Sequence, residues 1–140
     1  MTVPALRVQA AVSAAVVAVV LLLTCWPLHH GSAGVQLSGA SADYTVQVRL
    51  PRPSAAAGQA DITVDRRDHA PVELERVTLA AVMPSMGHAM PALTAEPAGP
   101  GRYQTHGQLF LMAGSWQLTV SLNGPSGTET VTVPVAVSAV

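Results

Sequence analysis

The chain has 140 residues, a length that fits one small domain with or without an appendage. It is 49% hydrophobic and only 11% charged, which excludes intrinsic disorder, and its net charge of −1 without a basic cluster excludes an electrostatic binder of nucleic acid. A single Cys excludes an intramolecular disulfide framework and any metal site built on several thiolates.

The first element in chain order is an apolar run. Residues Ala10 to Leu28 carry no charge, and Ala10–Leu23 is apolar apart from Ser13. Nineteen residues of helix reach about 28 Å, close to the thickness of a bilayer's hydrocarbon core. Residues 1–30 are therefore expected to be an N-terminal membrane anchor or signal segment. Arg7 lies before the run and the next Arg is Arg49, so the amino terminus should face the cytoplasm. An uncleaved single-pass anchor in a bacterial cytoplasmic membrane fits the length best. The alternatives are a cleaved signal peptide, which would leave a secreted domain, and lipid anchoring at Cys25. Each of these places the remainder of the chain outside the cytoplasm, without a thiol.

Residues 31–43, rich in Gly, Ser and Ala, read as a linker. Beyond them hydrophobicity alternates with a period of two: Tyr44, Val46, Val48 and Leu50; Ala60, Ile62 and Val64; Val77, Leu79, Ala81 and Met83; Trp116, Leu118, Val120 and Leu122; Val131, Val133, Val135 and Val137. This is the pattern of strands with one buried face. Turn signals separate them at Pro51-Arg52-Pro53, Asp65-Arg66-Arg67-Asp68, Pro97-Ala98-Gly99-Pro100-Gly101 and Asn123-Gly124-Pro125-Ser126-Gly127. The second reads as a surface hairpin. Pro134 lacks an N–H, so the last strand is expected to be an edge strand or bulged there. No amphipathic helix follows the leader. Six to eight short strands over residues 44–140 predict an all-β fold, an immunoglobulin-like two-sheet sandwich with Trp116 as its central plug.

The chemical signal is the segment Met83-Pro84-Ser85-Met86-Gly87-His88-Ala89-Met90-Pro91, which holds three of the four internal Met residues. In an extended segment Met86, His88 and Met90 would point to one side, although Pro84, Gly87 and Pro91 favour a shaped loop or edge. Thioether sulfur is a soft, neutral ligand that selects Cu(I), and imidazole also suits copper. Zinc fits less well, because its protein ligands are thiolate, imidazole and carboxylate. The candidate metal residues are Met83, Met86, His88, Met90 and Met112, with His106 a weaker addition. The alternative is structural: Met fills irregular gaps in cores, and Met112 in Leu109-Phe110-Leu111-Met112-Ala113-Gly114-Ser115-Trp116 has the neighbours of a core residue. His29 and His30, at the membrane exit, fit adventitious metal binding or interface polarity, and His69 reads as solvated. No G-x-S-x-G elbow, phosphate-binding loop, paired catalytic carboxylates or HExxH helix is present, so no enzyme is expected.

Taken in order, Ala70-Pro71-Val72, the Met-Pro-Ser-Met-Gly-His segment, Gly101-Arg102-Tyr103 and Met112-Ala113-Gly114-Ser115-Trp116 resemble the YtkA-like domain, related to the FixH family, over roughly residues 43–137. That resemblance implies a small extracytoplasmic immunoglobulin-like sandwich behind a single membrane helix, associated with copper handling, maturation of haem–copper oxidases or metal efflux. By position, Met83, Met86, His88 and Met90 fall on the family's Met/His motif, and Met112 and Trp116 on its second motif. The expectation is a membrane-tethered extracytoplasmic protein that holds or delivers Cu(I). Its expected partners are the membrane and a copper-donating or copper-receiving membrane protein. The rival reading is a non-metal interaction module whose Met loop contacts a membrane protein.

Overall fold

The computed structural model describes residues 34–55 and 58–139. The expected membrane helix, Cys25, His29 and His30 lie outside them. Nine strands make up the described part: β1 Val35–Ala40, β2 Tyr44–Leu50, β3 Gln59–Arg66, β4 Arg76–Met83, β5 His88–Ala89, β6 Leu93–Gly99, β7 Arg102–His106, β8 Gly114–Gly124 and β9 Gly127–Val137. The fold is all-β, and no helix occurs among the described residues.

The alternation of the sequence becomes burial. Tyr44, Val46, Val48 and Leu50 of β2 turn inward while Thr45, Gln47 and Arg49 stay exposed, as expected of a pleated strand with one face on a core. β3, β4, β8 and β9 follow the same rule. Trp116 is 1% exposed and meets Phe110 edge to face at a centroid separation of 5.6 Å, a favoured geometry for aromatic pairs. The anticipated central plug is in place.

The strands follow the order β1-β2-β3-β7-β6-β4-β8-β9, all neighbours antiparallel, with β5 extending the partner edge of β4. The two layers of the expected sandwich are present, and they are joined into one continuous sheet. β6 serves both layers: its Leu93–Ala95 half pairs with Leu79–Val77 of β4, and its second half pairs with β7 across an irregularity between Pro97 and Gly99. One sheet thus folds over its own core and nearly closes into a barrel. Side bonds draw the two end strands together. The Asp43 N–H donates to Glu129 Oε2 at 3.1 Å, and the Ser138 N–H donates to the Pro53 carbonyl at 2.9 Å. β9 is an end strand, as Pro134 requires, and Pro134 lies on its exposed face.

Three further expectations change. The supposed linker at residues 31–43 contains β1, which pairs with β2 from Val35↔Leu50 to Ala40↔Thr45. Its small and polar residues hide a real alternation, half-buried at Val35, Leu37 and Gly39 and exposed between them. The described strands therefore number nine: eight lie within residues 44–140, as expected, and β1 adds one ahead of them. The Asp65–Asp68 turn is not a hairpin, because β3 pairs with β2 and β7 while β4 belongs to the opposite layer. That connection crosses between layers, with an Arg66–Asp68 ion pair at 2.7 Å and His69 in the left-handed region at φ 59°. Finally, residues 97–99 belong to β6, and the turn is confined to Pro100-Gly101.

Candidate functional site

β4 and β5 form a hairpin in which Met83 lies opposite His88 and Val82 opposite Ala89. Its four-residue tip, Pro84-Ser85-Met86-Gly87, is held by Met86 N–H to Met83 O at 3.2 Å and Gly87 N–H to Pro84 O at 3.4 Å. The spacing of the motif follows from this turn. The proline ring fixes φ where the chain first bends. Gly87 closes the turn at φ 65°, a conformation that costs a residue with a Cβ. Past Ala89 the Met90 N–H donates to Ala81 O at 2.8 Å. Four steps from Ala89 to Leu93 then face three from Val82 to Leu79, so the chain carries one extra residue around Met90–Ala92.

Turn and bulge break the extended geometry that would have set Met86, His88 and Met90 on one side. The sulfurs and imidazoles divide by exposure instead. Met83 is 2% exposed and packs in the core. Its methyl reaches β8, where an ideal Cβ on Gly114 would stand 2.8 Å from Met83 Cε. Met86 projects from the tip, 57% exposed. His88 is exposed beside it in sequence. Met90 and Met112 are half-buried and pack against the core from outside. The loop carrying Met112 is pinned by Trp116 Nε1, which donates to the Met112 carbonyl at 3.0 Å. His106 is exposed at the end of β7, opposite Gln59, and the next N–H, of Gly107, donates to Gly58 O at 2.9 Å.

All of these residues belong to one rim. Antiparallel pairing puts the end of β4, the start of β8, the end of β9, the end of β7, the start of β3, the end of β2 and the start of β1 together. His69 lies at the opposite rim. Among the described residues, no group of three or more His, Cys, Asp or Glu side chains could hold a metal. A donor set of the zinc type is thus not assembled there, and the rim's donors are thioethers and single imidazoles.

Shifted titratable groups lie toward the opposite rim. Asp68 is held below the usual carboxylate range by the Arg66 guanidinium and then by the Ala70 N–H. Glu129 is lowered by the Ser41 hydroxyl and by the Asp43 N–H. Tyr103 is raised by burial.

Two features had no clear sequence signal. Leu111, beside Met112, is 50% exposed although its neighbours Leu109 and Phe110 are buried. Thr105 Oγ1 is buried without a hydrogen-bond partner. A polar cavity of about 450 Å³ also opens on the outer face of β1, β2, β3 and β7, lined by Gln36, Gln47, Arg49, Asp61, Arg102 and Gln104 among others. Most of its residues are the outward half of the alternation, joined by Ile62 and Tyr103 of the inward half.

The comparisons agree with the motifs. Comparison with curated proteins and with solved structures gives no match. The family model described as YtkA-like matches residues 39–121, more than half of the chain, including the tip hairpin and the Met112–Trp116 element. This chain belongs to the YtkA-like family.

Proposed function

We propose that the chain is a membrane-tethered extracytoplasmic copper-binding protein, not an enzyme, and that it carries Cu(I) as cargo on the Met/His rim. The observation carrying this reading is the exposure of Met86 and His88 at a tip whose turn is built around them, with the half-buried Met90 and Met112 contributed by adjoining segments. The donor chemistry fits a soft monovalent ion: neutral thioethers with an imidazole, and no thiol to oxidise. Met86 and His88 would supply the accessible ligands, and Met90 and Met112 would complete the set. Met83 fits poorly as a ligand, because its sulfur would have to leave a sealed core position. Accessible, few-ligand sites suit transfer to a partner by ligand exchange.

Anaerobic titration with Cu(I) against a competing chelator tests this. The chain should withdraw copper from the chelator, and the combined variant Met86→Ala, His88→Ala, Met90→Ala should not. Equal competition by both would refute the assignment. The exposed Met86 and Leu111 favour one rival, a rim that contacts a protein partner without metal. That reading predicts partner crosslinking that survives copper chelation and His88→Ala.

A further inference from the structure

We infer that the Met/His rim rests against the lipid surface, with Met86 and Leu111 as its apolar contacts; this builds on the proposed membrane tether. The two large hydrophobic side chains exposed among the described residues, Met86 at 57% and Leu111 at 50%, both lie on that rim. They sit on loops without charge. Residues 84–92 and 107–113 contain no Asp, Glu, Lys or Arg, and residues 51–55 add only Arg52, a cation. The loops of the opposite rim carry Asp43, Arg67, Asp68, Glu73 and Glu75, a net negative set. A bilayer with anionic lipid attracts the first kind of surface and repels the second.

Strand polarity adds an independent observation. β1 starts at this same rim, since Val35 pairs with Leu50 at the end of β2. The chain therefore enters the domain on the apolar, charge-poor side. The uncharged run of the sequence ends at Leu28, six residues before Gly34. Six residues reach at most about 20 Å, so a lipid-embedded run keeps this rim close to the membrane. Two side chains are too small a contact to hold a protein on lipid unaided. Held by a tether, the same contact becomes intramolecular and needs little affinity. The rim would then present Met86 and His88 at the plane where a membrane protein could exchange copper.

The test uses the full chain carrying Cys25→Ser, reconstituted in vesicles of equal parts phosphatidylcholine and phosphatidylglycerol. An environment-sensitive fluorophore is placed through Met86→Cys, through Leu111→Cys, or through Ser126→Cys in the opposite β8–β9 turn. Flotation with the vesicles reads the tether. Quenching by nitroxide-bearing lipid reads the rim. The inference predicts flotation of all three proteins, a blue shift and loss of most fluorescence for labels at 86 and 111, and little change at 126. Flotation without quenching at 86 and 111, or with equal quenching at 126, overturns the rim contact and leaves the tether standing. Failure to float overturns the tether, and the inference with it. Quenching absent in vesicles but shielding of position 86 in native membranes assigns the rim to a protein partner and overturns the lipid contact.

Discussion

The methyl group of Met83 occupies the space that a side chain on Gly114 would need, with Met83 Cε 2.8 Å from the ideal Cβ position. Gly114 also sits at φ 145°, where residues with a Cβ are strained. One contact thus joins two sequence motifs, the Met hairpin and the Met-Ala-Gly-Ser-Trp element, and it does so through packing. Gly114→Ala should destabilise the domain by about 1–3 kcal/mol, and Met83→Ala by about 2–5 kcal/mol, as a cavity in the core. Thermal unfolding of both variants and of the double variant checks this. The double variant should lose less than the two single losses combined, because removing the Met83 side chain clears the clash.

The Trp116 indole is predicted to order the rim. Trp116→Phe keeps an aromatic plug but removes the 3.0 Å bond to the Met112 carbonyl. The expected cost is about 1–3 kcal/mol, the penalty for an unpaired part-buried polar group. Amide hydrogen exchange should speed up in residues 107–113 more than in β8. Uniform acceleration, or none, would argue against a local pin.

Thr105 is expected to behave oppositely to most core positions. Its hydroxyl is buried with no partner, so Thr105→Val removes an unsatisfied polar atom while conserving shape. Melting should rise or stay level, by at most about 1 kcal/mol. A clear fall would indicate a bond that the hydroxyl makes with an ordered water.

Much of this molecule was legible in its sequence, for physical reasons that also explain the gaps. β2, β4, β8 and the core around Trp116 follow from period-two alternation, since each strand has one wet and one dry face. β1 escaped notice because Gly39 and Ala40 blur the same alternation. β6 escaped because a strand that changes partners midway reads as a turn, with Pro97 and Gly99 at its irregularity. At the candidate site the residues were legible and their orientation was not. Met83 continues the inward series Val77, Leu79 and Ala81 of β4, so the alternation already sets it on the buried face, against its reading as a ligand. The tip geometry that leaves Met86 exposed and Met90 half-buried depends on the φ of Gly87 and on the bulge, which spacing does not specify.

Low pH should loosen the closure of the sheet. The Glu129 carboxylate is stabilised in the folded state by the Ser41 hydroxyl and the Asp43 N–H, which lowers its pKa. A group with a depressed folded pKa adds stability above its unfolded value and loses it as pH falls through the folded value. Glu129→Gln should therefore melt below the parent protein at neutral pH, and the gap should shrink as acid is added. Because the group lies near the surface, the effect should be small and weakened by salt. A gap independent of pH would remove the carboxylate from this role.

The proposed binding of Cu(I) by thioethers and imidazole at the rim is tested most directly by X-ray absorption at the copper edge of the Cu(I)-loaded protein. The expected first shell contains sulfur together with a nitrogen scatterer, the nitrogen vanishing in His88→Ala and the sulfur diminishing in Met86→Ala. A shell of nitrogen and oxygen alone, or one unchanged in both variants, would contradict it.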